Sequence, residues 1–480
     1  MGVKGVLRNV RKKGIVETGN IFIERRIKAG IDKQLDSVKK HISSLEKELD
    51  SIKKNQTFFE REQDIKRLIG MAEEEEDKTV RKKILEKARE LETLTGYKTY
   101  IKRKYIKDVL PKVYDAYSVL PIKNEMIFMQ PRKGLNGSCQ YIYHKIEEQK
   151  KYIPVLYELE RDDVPVTLYY ENAVKWVRAL ATAKACFVHE SNDLMGYLDI
   201  RKETKIIQLW HGCGVLKKIG LSTADQKDFK SSKTYKEFPE YNKYDMVTIA
   251  SPELSWVFEE FMGIDKESGI ISPIGVSRTD EFFDPEYIRN CYEKLYKRIP
   301  SAKEKKVILY APTYRGVGQQ RVAPDALDIK KFADALSDDY ILIIKQHQTV
   351  KNLPPIPEEY KDKFAFDMTR GKGMNINELM TVADICISDY SSLVFEYALF
   401  ERPIIFFVFD LEDYIDNRGL YYDFDEITPG PICKTNDEMI DYIQNIGERF
   451  DKQEVVDFKQ KFMCSCDGHS TERILQFAEE

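Results

Sequence analysis

Residues 384–407 read DICISDYSSLVFEYALFERPIIFF, a stretch with two apolar runs on either side of a helical pattern. The runs at 384–389 and 403–409 are short and apolar, which is typical of buried strands in a parallel sheet. Between them, a turn is followed by apolar side chains spaced as in a helix, from Leu393 to Phe400. A strand, a helix and a second strand in this order form the repeating unit of a doubly wound α/β sheet.

The same alternation extends outward over most of the chain, from near Lys98 onward. Short apolar runs that we interpret as strands lie at 125–130, 166–170, 184–190, 206–210, 246–251, 306–313, 340–347, 364–368, 384–389 and 403–409. A break near 280–300 separates two sets of strands. The sequence therefore predicts an α/β protein with two doubly wound domains, at 98–285 and 286–480.

The N-terminal segment, residues 1–30, is basic and amphipathic. It carries eight lysines and arginines against two glutamates, with aliphatic and phenylalanine side chains interleaved. Such a segment can lie on an anionic membrane surface, where each cation contributes about 1 kcal/mol. A solvated basic tail is the alternative.

Residues 31–97 are predicted to be helical. Alternate spacings of four and three indicate a heptad seam, formed by Ile31, Leu35, Val38, Ile42, Leu45, Leu49 and Ile52. Phe58 and Phe59 interrupt this spacing, and a second helical pattern ends before Gly96. We interpret the two patterns as an antiparallel helical hairpin resembling a coiled coil. Pairing between molecules, giving a homo-oligomer, is the alternative.

Composition limits the class of protein. The 480 residues are 42% hydrophobic and 32% charged, with a net charge of −4, which is globular composition and not that of a polycation. No nucleic-acid partner is therefore expected. No apolar run reaches about 18 residues, and the N-terminus has no signal-peptide core, so we expect a cytoplasmic chain without a transmembrane helix. Cys464, Cys466 and His469 lack the spacing of a zinc site, so no metal site is predicted.

Polar and cationic side chains follow five of the strand-like runs, at the ends where α/β sheets bind ligands. They are His211-Gly212-Cys213-Gly214 with Lys217 and Lys218, Arg278, Pro312-Thr313 with Arg315, Gln346-His347, and Ser391-Ser392 with Glu396. Cations and backbone N–H groups bind phosphate oxygens, and a neutral histidine accepts protons. This set of residues suits a nucleoside diphosphate.

Ser391 and Ser392 stand where a predicted strand gives way to a predicted helix. Free N–H groups and the dipole at the start of a helix bind phosphate, whereas a plain helix cap is the structural alternative. Two adjacent serines, close to other anion-binding strand ends, favour phosphate.

His211 and His347 both end apolar strands, and we take them as the catalytic candidates. A lone histidine is more often structural, but the glycines after His211 allow the backbone to approach a ligand closely. His144 and His189 have no comparable setting in the sequence. The chain contains no G-x-x-x-x-G-K-[ST] loop, no G-x-G-x-x-G after a strand and no G-x-S-x-G elbow, which disfavours dinucleotide redox chemistry and serine hydrolysis.

The order and spacing of these motifs resemble the CDP-glycerol glycerophosphotransferase family, the teichoic acid polymerases and primases. The segments that carry the resemblance are WHG (210–212), LKKIG (216–220), GVSRTD (275–280), YAPTYR (310–315), KQH (345–347), SDYSSLVFEYALFERPIIFF (388–407), RGLYYDF (418–424) and DGHSTER (467–473). The resemblance covers about residues 120–475 and leaves the first 97 residues outside.

The resemblance implies a GT-B fold, with two Rossmann-like domains facing a cleft, the acceptor side at 98–285 and the donor side at 286–480. It implies transfer of an alditol phosphate from CDP-glycerol or CDP-ribitol to a hydroxyl of a lipid-linked teichoic-acid-like or capsular polymer, with release of CMP. No tightly bound cofactor is expected, and a metal requirement stays open. Because family members work at the inner membrane face, the resemblance also favours membrane contact through residues 1–30.

The resemblance further implies roles for single residues. His211 matches the base that takes the proton of the acceptor hydroxyl. The pyrophosphate would be held by Arg278, Lys345, His347, Ser391 and Ser392. Pro312 and Thr313 match a donor-binding turn, and Glu396 matches an acidic position that contacts sugar or alditol hydroxyls. The remaining donor-side candidates are Trp210, Gly212, Cys213, Gly214 and Arg315.

The loop after His211 departs from the family pattern. Many members have Thr-Pro where this chain has Cys213-Gly214, and glycine removes the fixed φ of proline. We interpret the change as the mark of a subfamily with a different alditol or acceptor. Direct transfer needs no nucleophilic cysteine.

Two other functions stay open on the sequence. A GT-B glycosyltransferase that uses a nucleotide sugar would share the fold, with Glu396 on the sugar ring. A coiled-coil scaffold with a degenerate catalytic domain is disfavoured, because every charge and hydroxyl of the motifs is present.

Overall fold

A computed structural model describes residues 15–135, 137–316, 321–347, 350, 352–369, 373–411 and 419–480. By its internal contacts the chain divides into two compact units, Met1–Lys102 with Val164–Leu168, and Arg103–Asp163 with Tyr169–Glu480. Both sheets lie in the second unit. The predicted division of that unit at residue 285 stays a prediction.

The second unit contains two parallel sheets of six strands each. The first consists of β1 (Glu125–Gln130), β2 (Ile153–Glu158), β3 (Ala185–Val188), β4 (Lys205–Gln208), β5 (Met246–Thr248) and β6 (Ile271–Ser272). The second consists of β7 (Lys306–Tyr310), β8 (Tyr340–Ile344), β9 (Ala365–Asp367), β10 (Ile385–Ser388), β11 (Ile404–Phe407) and β12 (Ile432–Cys433). The predicted α/β class with two successive sheets is confirmed.

The order of the strands places the ligand-binding edge of each sheet. The first sheet runs β2-β1-β3-β4-β5-β6, and the second runs β12-β11-β10-β7-β8-β9. The second order reverses between β7 and β10, as in the dinucleotide-binding fold, and ligands bind at such a reversal, beyond the carboxyl ends of the strands. The residues after β7 and β10 are Pro312-Thr313 and Asp389–Ser392, so the topology brings two of the sequence motifs together.

Helices cover the faces of both sheets and form the N-terminal part of the chain. In chain order they are α1 (Ile15–Glu74), α2 (Lys78–Leu91), α3 (Tyr97–Lys104), α4 (Leu110–Ser118), α5 (Ser138–Gln149), α6 (Val166–Leu180), α7 (Ser232–Glu237), α8 (Ser255–Met262), α9 (Pro285–Arg298), α10 (Ile329–Leu336), α11 (Ile376–Val382), α12 (Leu393–Tyr397), α13 (Asn436–Gln444), α14 (Ile446–Arg449), α15 (Lys452–Phe462) and α16 (Ser470–Glu479). A π-helical turn, Tyr105–Val109, joins α3 to α4. Within the described residues, no helix is both long and apolar enough to cross a membrane.

The last helix, α16, does not pack on the second sheet, which precedes it in the chain. Its Ile474, Leu475 and Ala478 are buried in the core of the first sheet, against strand residues such as Phe128 and Phe187. The chain therefore returns to the first sheet at its end, which the sequence-based division at 286–480 did not anticipate.

One predicted strand is wrong. The run at 166–170 forms the first turns of α6, whose buried Ala173, Val177 and Leu180 continue it with helical spacing. The Glu92 carboxylate accepts the N–H groups of Val166 and Thr167 at 2.8 Å each, which satisfies two free donors at the start of this helix. This cap lies more than seventy residues away in sequence, so local propensity, which favours a strand here, did not reveal it.

The predicted break at Phe58 and Phe59 is also wrong, since α1 continues through both residues to Glu74. The chain turns after Glu74 instead, and Asp77 caps α2 by accepting from the N–H groups of Thr79 and Val80. Phe58 lies in a buried layer with Tyr97 and is not a breaker, because aromatic residues are tolerated inside helices.

The heptad seam, from Ile31 to Ile52, spans the middle of α1. Four of its side chains, Ile31, Val38, Ile42 and Leu45, are each at least half exposed. For residues 1–30, the basic segment, positions 1–14 lie outside the described residues, and over 15–27 only the helical backbone is described.

Candidate active site

A cavity of about 800 Å³ lies at the carboxyl ends of strands from both sheets. Nine of the predicted site residues line it: His211, Arg278, Pro312, Thr313, Lys345, His347, Ser391, Ser392 and Glu396. The remaining walls include Gln346, Thr369, Met374, Asn375 and Leu393. The tertiary structure thus collects most of the predicted residues in one place.

Trp210 turns the chain from the end of β4 into this cavity. Its φ of 54° lies in the left-handed region, which a non-glycine residue occupies only when its surroundings hold it there. The Gln208 side chain accepts the Trp210 N–H at 2.9 Å, and the indole packs on Phe258 and Phe261. This strained turn presents the next residue, His211, to the cavity.

His211 is held in a state suited to a general base. Its Nδ1 lies 3.3 Å from the carbonyl oxygen of His189, so the tautomer that donates this bond leaves the lone pair on Nε2. Desolvation by the surrounding protein lowers the pKa of His211, and the nearby Arg278 and Arg132 lower it further, against the opposing effect of Glu190. The imidazole is therefore neutral at neutral pH and able to accept a proton.

Arg278 connects the histidine to the rest of the cavity. Its Nη1 donates to the His211 carbonyl at 2.8 Å, and its Nη2 lies 3.4 Å from a Glu396 carboxylate oxygen. Asn377 accepts from Arg278 at 3.1 Å and donates to the buried Glu281 at 2.7 Å. The second oxygen of Glu396 is buried and has no hydrogen-bond partner within the described residues, so it is available to a ligand hydroxyl.

Lys345 and His347 follow β8 and line the cavity. The ammonium of Lys345 donates to the carbonyl oxygens of Met368 and Met374, at 2.7 and 3.1 Å, and burial lowers its pKa. Burial, with the cations Arg321 and Lys217, also lowers the pKa of His347. Lys345 thus fixes the two chain segments that flank the cavity and places a cation in its wall.

Thr313 is oriented by Asp389, a residue that the sequence motifs did not single out as functional. The Asp389 carboxylate accepts the Thr313 N–H at 2.8 Å and its hydroxyl at 3.0 Å. Arg315, a predicted phosphate ligand, is bound to Asp389 and to both oxygens of Asp410. It does not line the cavity. Because its guanidinium is paired with two carboxylates, Arg315 stabilises the Pro312-Thr313 turn from outside the cavity.

Ser391 and Ser392 directly precede α12, as predicted, and both side chains are partly exposed in the cavity wall. The Ser392 side chain makes no capping bond, and Ser391 Oγ accepts the Leu393 N–H at 3.4 Å. The helix that follows has only five residues, so the local N–H groups and hydroxyls matter here more than a long dipole.

A second cavity, of about 290 Å³, is lined by the loop after β4. Trp210, Gly212 and Gly214 line it, whereas Cys213 does not. Cys213 is completely buried, and burial raises the pKa of its thiol, which agrees with the expectation that it is no nucleophile.

Gly214 has a steric reason to be glycine. A Cβ at this position would lie 2.3 Å from ring atoms of Phe395, which is itself buried against Phe458 and Phe462. The proline of the common family pattern would meet the same ring. The Cys213-Gly214 departure is therefore matched by an aromatic residue on α12, the helix that follows β10 of the second sheet.

We expect Gly214→Ala to lower stability and activity together. The methyl group cannot fit unless Phe395 or the loop moves, and overpacking of this kind costs about 1–3 kcal/mol. Gly447→Ala is the matched control, because a Cβ at Gly447 meets nothing within 4 Å. Thermal melting and a CMP-release assay measure both effects, and a Gly214→Ala protein that behaves like Gly447→Ala would contradict the steric assignment.

His189 is, besides Asp389, a site residue that sequence reasoning missed. It directly follows β3, and its carbonyl orients His211, while its buried Nδ1 has no partner within the described residues. The available signal was its place at the end of an apolar strand, shared with His211 and His347. Pairing of β3 with β4 makes this position adjacent to His211.

We expect the stability of the protein to fall between about pH 6.5 and pH 4. Burial lowers the pKa of His189 from 6.5 to about 4, so the unfolded chain binds a proton first as the pH falls. The stability that the neutral imidazole allows is fully present above pH 6.5. By pH 4 the free energy of unfolding has fallen by about 3 kcal/mol. Between pH 7 and 4.5 the melting temperature should fall less in His189→Asn than in wild type, whereas the exposed His144→Asn should behave like wild type. Parallel curves of melting temperature against pH for wild type and His189→Asn would refute the assignment.

The fold and the cavity define a class: an α/β protein of two parallel sheets whose cavity combines a histidine with cations and hydroxyls, groups that suit a phosphorylated ligand. The sequence model of the family described as "CDP-Glycerol:Poly(glycerophosphate) glycerophosphotransferase" matches residues 113–480. The chain belongs to this family. The resemblance identified from the sequence motifs is confirmed, as is the expectation of a phosphotransferase.

Curated relatives include a teichoic acid poly(ribitol-phosphate) polymerase of Bacillus spizizenii, 34% identical over 366 residues. That match covers 75% of this chain but only 57% of the relative's length. A teichoic acid ribitol-phosphate primase of the same organism is 30% identical over 387 residues, covering 79% of this chain and 97% of the relative. Among solved structures, the wall teichoic acid polymerase TagF has a TM-score of 0.63 at 22% identity, covering 80% of this chain and 98% of TagF, which shows the fold.

Proposed function

We propose that this protein transfers an alditol phosphate from a CDP-alditol, CDP-glycerol or CDP-ribitol, to a hydroxyl of a lipid-linked teichoic-acid-like or capsular polymer, and releases CMP. The observation that carries the proposal is the convergence on one cavity of His211, with Nε2 free for a proton, and phosphate-binding groups from both sheets. The family and its ribitol- and glycerol-phosphate polymerases and primases support the same reaction.

The proposed reaction is a direct displacement. The acceptor hydroxyl oxygen attacks the β-phosphorus of the donor, and its proton passes to His211 Nε2. The new bond joins this oxygen to phosphorus, and the bond between phosphorus and the oxygen of CMP breaks, so CMP leaves with the electron pair. Arg278, Lys345 and the two serines offset the negative charge of the pyrophosphate and of the departing CMP.

We place the donor in the larger cavity, in a GT-B arrangement. Its volume of about 800 Å³ lies in the range that holds a nucleotide-sized ligand. The free oxygen of Glu396, only 3% exposed as a side chain, accepts a sugar or alditol hydroxyl without displacing another bond. The topological reversal at β7 and β10 lies at the same wall.

A donor screen tests the proposal. The full-length protein is incubated with CDP-glycerol, CDP-ribitol and UDP-sugars, with a lipid-linked acceptor, in the presence and absence of a chelator. Release of CMP from a CDP-alditol, dependent on the acceptor, is the expected result. Release of UDP from a nucleotide sugar instead would support the glycosyltransferase alternative and reject this proposal.

We also place the protein on the inner face of the cell membrane, held by residues 1–30. The support is the charge of that segment and the lipid anchor of the proposed acceptor. Full-length protein should pellet with anionic vesicles and stay in solution with neutral ones. A variant with Lys12 and Lys13 replaced by glutamine should pellet less; equal pelleting of both proteins would reject the role of this segment.

Homo-oligomerisation through residues 31–97 is the last element of the proposal. The exposed apolar side chains Ile31, Val38, Ile42 and Leu45 support it, because their spacing is that of a coiled-coil seam. Light scattering should give a mass above that of one 56.1 kDa chain, and Ile42→Glu should return it to one chain. A monomeric wild-type protein would reject this element.

A further inference from the structure

The two cavities meet at the catalytic residues. Both are lined by His211, Thr313, His347, Ser391 and Ser392. The larger cavity alone contains Arg278, Lys345 and Glu396, whereas the smaller one alone contains Lys217 and Tyr314. His211 therefore stands between two spaces of different size and chemistry.

The smaller cavity has the chemistry of a site for a phosphodiester and its hydroxyl. Lys217 lines the cavity, and Arg321 packs on Tyr314, which lines it too. The Arg321 guanidinium lies 4.5 Å from the ring centre of Tyr314, and its Nε is buried without a hydrogen-bond partner within the described residues. Buried donors of this kind are normally satisfied, and an anion would satisfy this one.

The backbone around Lys217 is paired with residues 419–421. Lys217 forms an antiparallel bridge with Leu420, the Lys218 N–H donates to the Gly419 carbonyl at 3.1 Å, and the Tyr421 N–H donates to the Leu216 carbonyl at 3.0 Å. The loop that begins at His211 is thus paired with a segment between β11 and β12 of the second sheet. This pairing fixes the backbone from which the Lys217 side chain extends.

We infer that the smaller cavity is the acceptor subsite, in which Lys217, supported by Arg321, binds the terminal phosphodiester of the growing chain and presents its free hydroxyl to His211. The inference rests on the proposed function. The donor occupies the larger cavity, because only that space combines the volume with Glu396 and Arg278. A polyanionic acceptor then reaches the base from the smaller cavity, and its hydroxyl oxygen becomes the nucleophile of the displacement described above.

The test separates binding of acceptor from binding of donor. The probe is a synthetic octyl-linked glycerol phosphate dimer, used with the donor that the screen identifies and with full-length protein. Lys217→Gln should raise the KM for the dimer about tenfold and leave the KM for the donor within about twofold, as expected for one lost charged contact. Lys217→Arg should restore most of the affinity, and added salt should raise the acceptor KM of wild type more than that of Lys217→Gln.

Lys266→Gln, which removes an exposed lysine outside both cavities, is the matched control and should leave both constants unchanged. If Lys217→Gln fails to melt cooperatively, Arg321→Gln provides the same comparison. If the wild-type protein releases no CMP from any CDP-alditol, both the proposed function and this inference are wrong. An active wild type in which Lys217→Gln raises the donor KM, or changes neither constant, overturns the inference alone.

Discussion

Replacing His211 by alanine is expected to lower CMP release by about 10²–10⁴-fold, the usual loss when a general base is removed. The variant should stay folded, because His211 is exposed to the cavity and its side chain makes one hydrogen bond within the described residues, to the His189 carbonyl. Since desolvation lowers the pKa of His211 from 6.5, the rate of the wild type should fall on the acid side only below pH 6.5.

His144→Ala is the matched control for this change. His144 is exposed, and its hydrogen bond within the described part of the chain goes to Glu147 on the same helix, so its loss should alter neither rate nor melting temperature. Steady-state release of CMP and thermal melting decide the question. Full activity in a folded His211→Ala protein would remove His211 from the role of base.

Arg278→Gln is the second change with a large expected effect, and it should lower both stability and activity. The Glu396 side chain is only 3% exposed, and it loses its cation when Arg278 is removed. An uncompensated buried carboxylate of this kind costs about 3–5 kcal/mol. The KM for the donor should rise, because a phosphate ligand is lost, and the support of the His211 carbonyl is lost too.

A double variant separates the two effects of Arg278. Arg278→Gln with Glu396→Gln should recover much of the melting temperature, since no buried charge is left unpaired, but it should not recover the rate. Arg289→Gln, at an exposed position on α9, serves as the control. Recovery of the rate in the double variant would show that Arg278 acts only through stability.

Local sequence patterns were sufficient to predict most strands of the two sheets and the positions of the motifs at their ends. The run Ile385–Ser388 is completely buried, and the strand, the serines and the helix follow in the predicted order, because each depends on neighbours within about ten residues. The same reasoning failed at 166–170, where the cap comes from Glu92, and at Phe58, where burial against Tyr97 stabilises a continuous helix.

For the candidate site too, some features could be predicted from local sequence and others depended on tertiary contacts. Its residue types were predicted, since cations, hydroxyls and a histidine at strand ends indicate phosphate chemistry in any α/β sheet. Arg315 does not line the cavity, because Asp389 and Asp410 bind its guanidinium, and the sequence does not show these contacts. His189 was missed because its importance comes from the pairing of β3 with β4.

The sequence by itself determined the α/β class, the order of the motifs and the kind of chemistry they perform, since these depend on local periodicity and residue type. The tertiary structure alone decided which motifs meet, that His211 stands between two cavities, and that Gly214 faces Phe395. The physical reason is that these contacts join residues up to about two hundred positions apart. They are set by strand order and by close packing between elements, which no local pattern records.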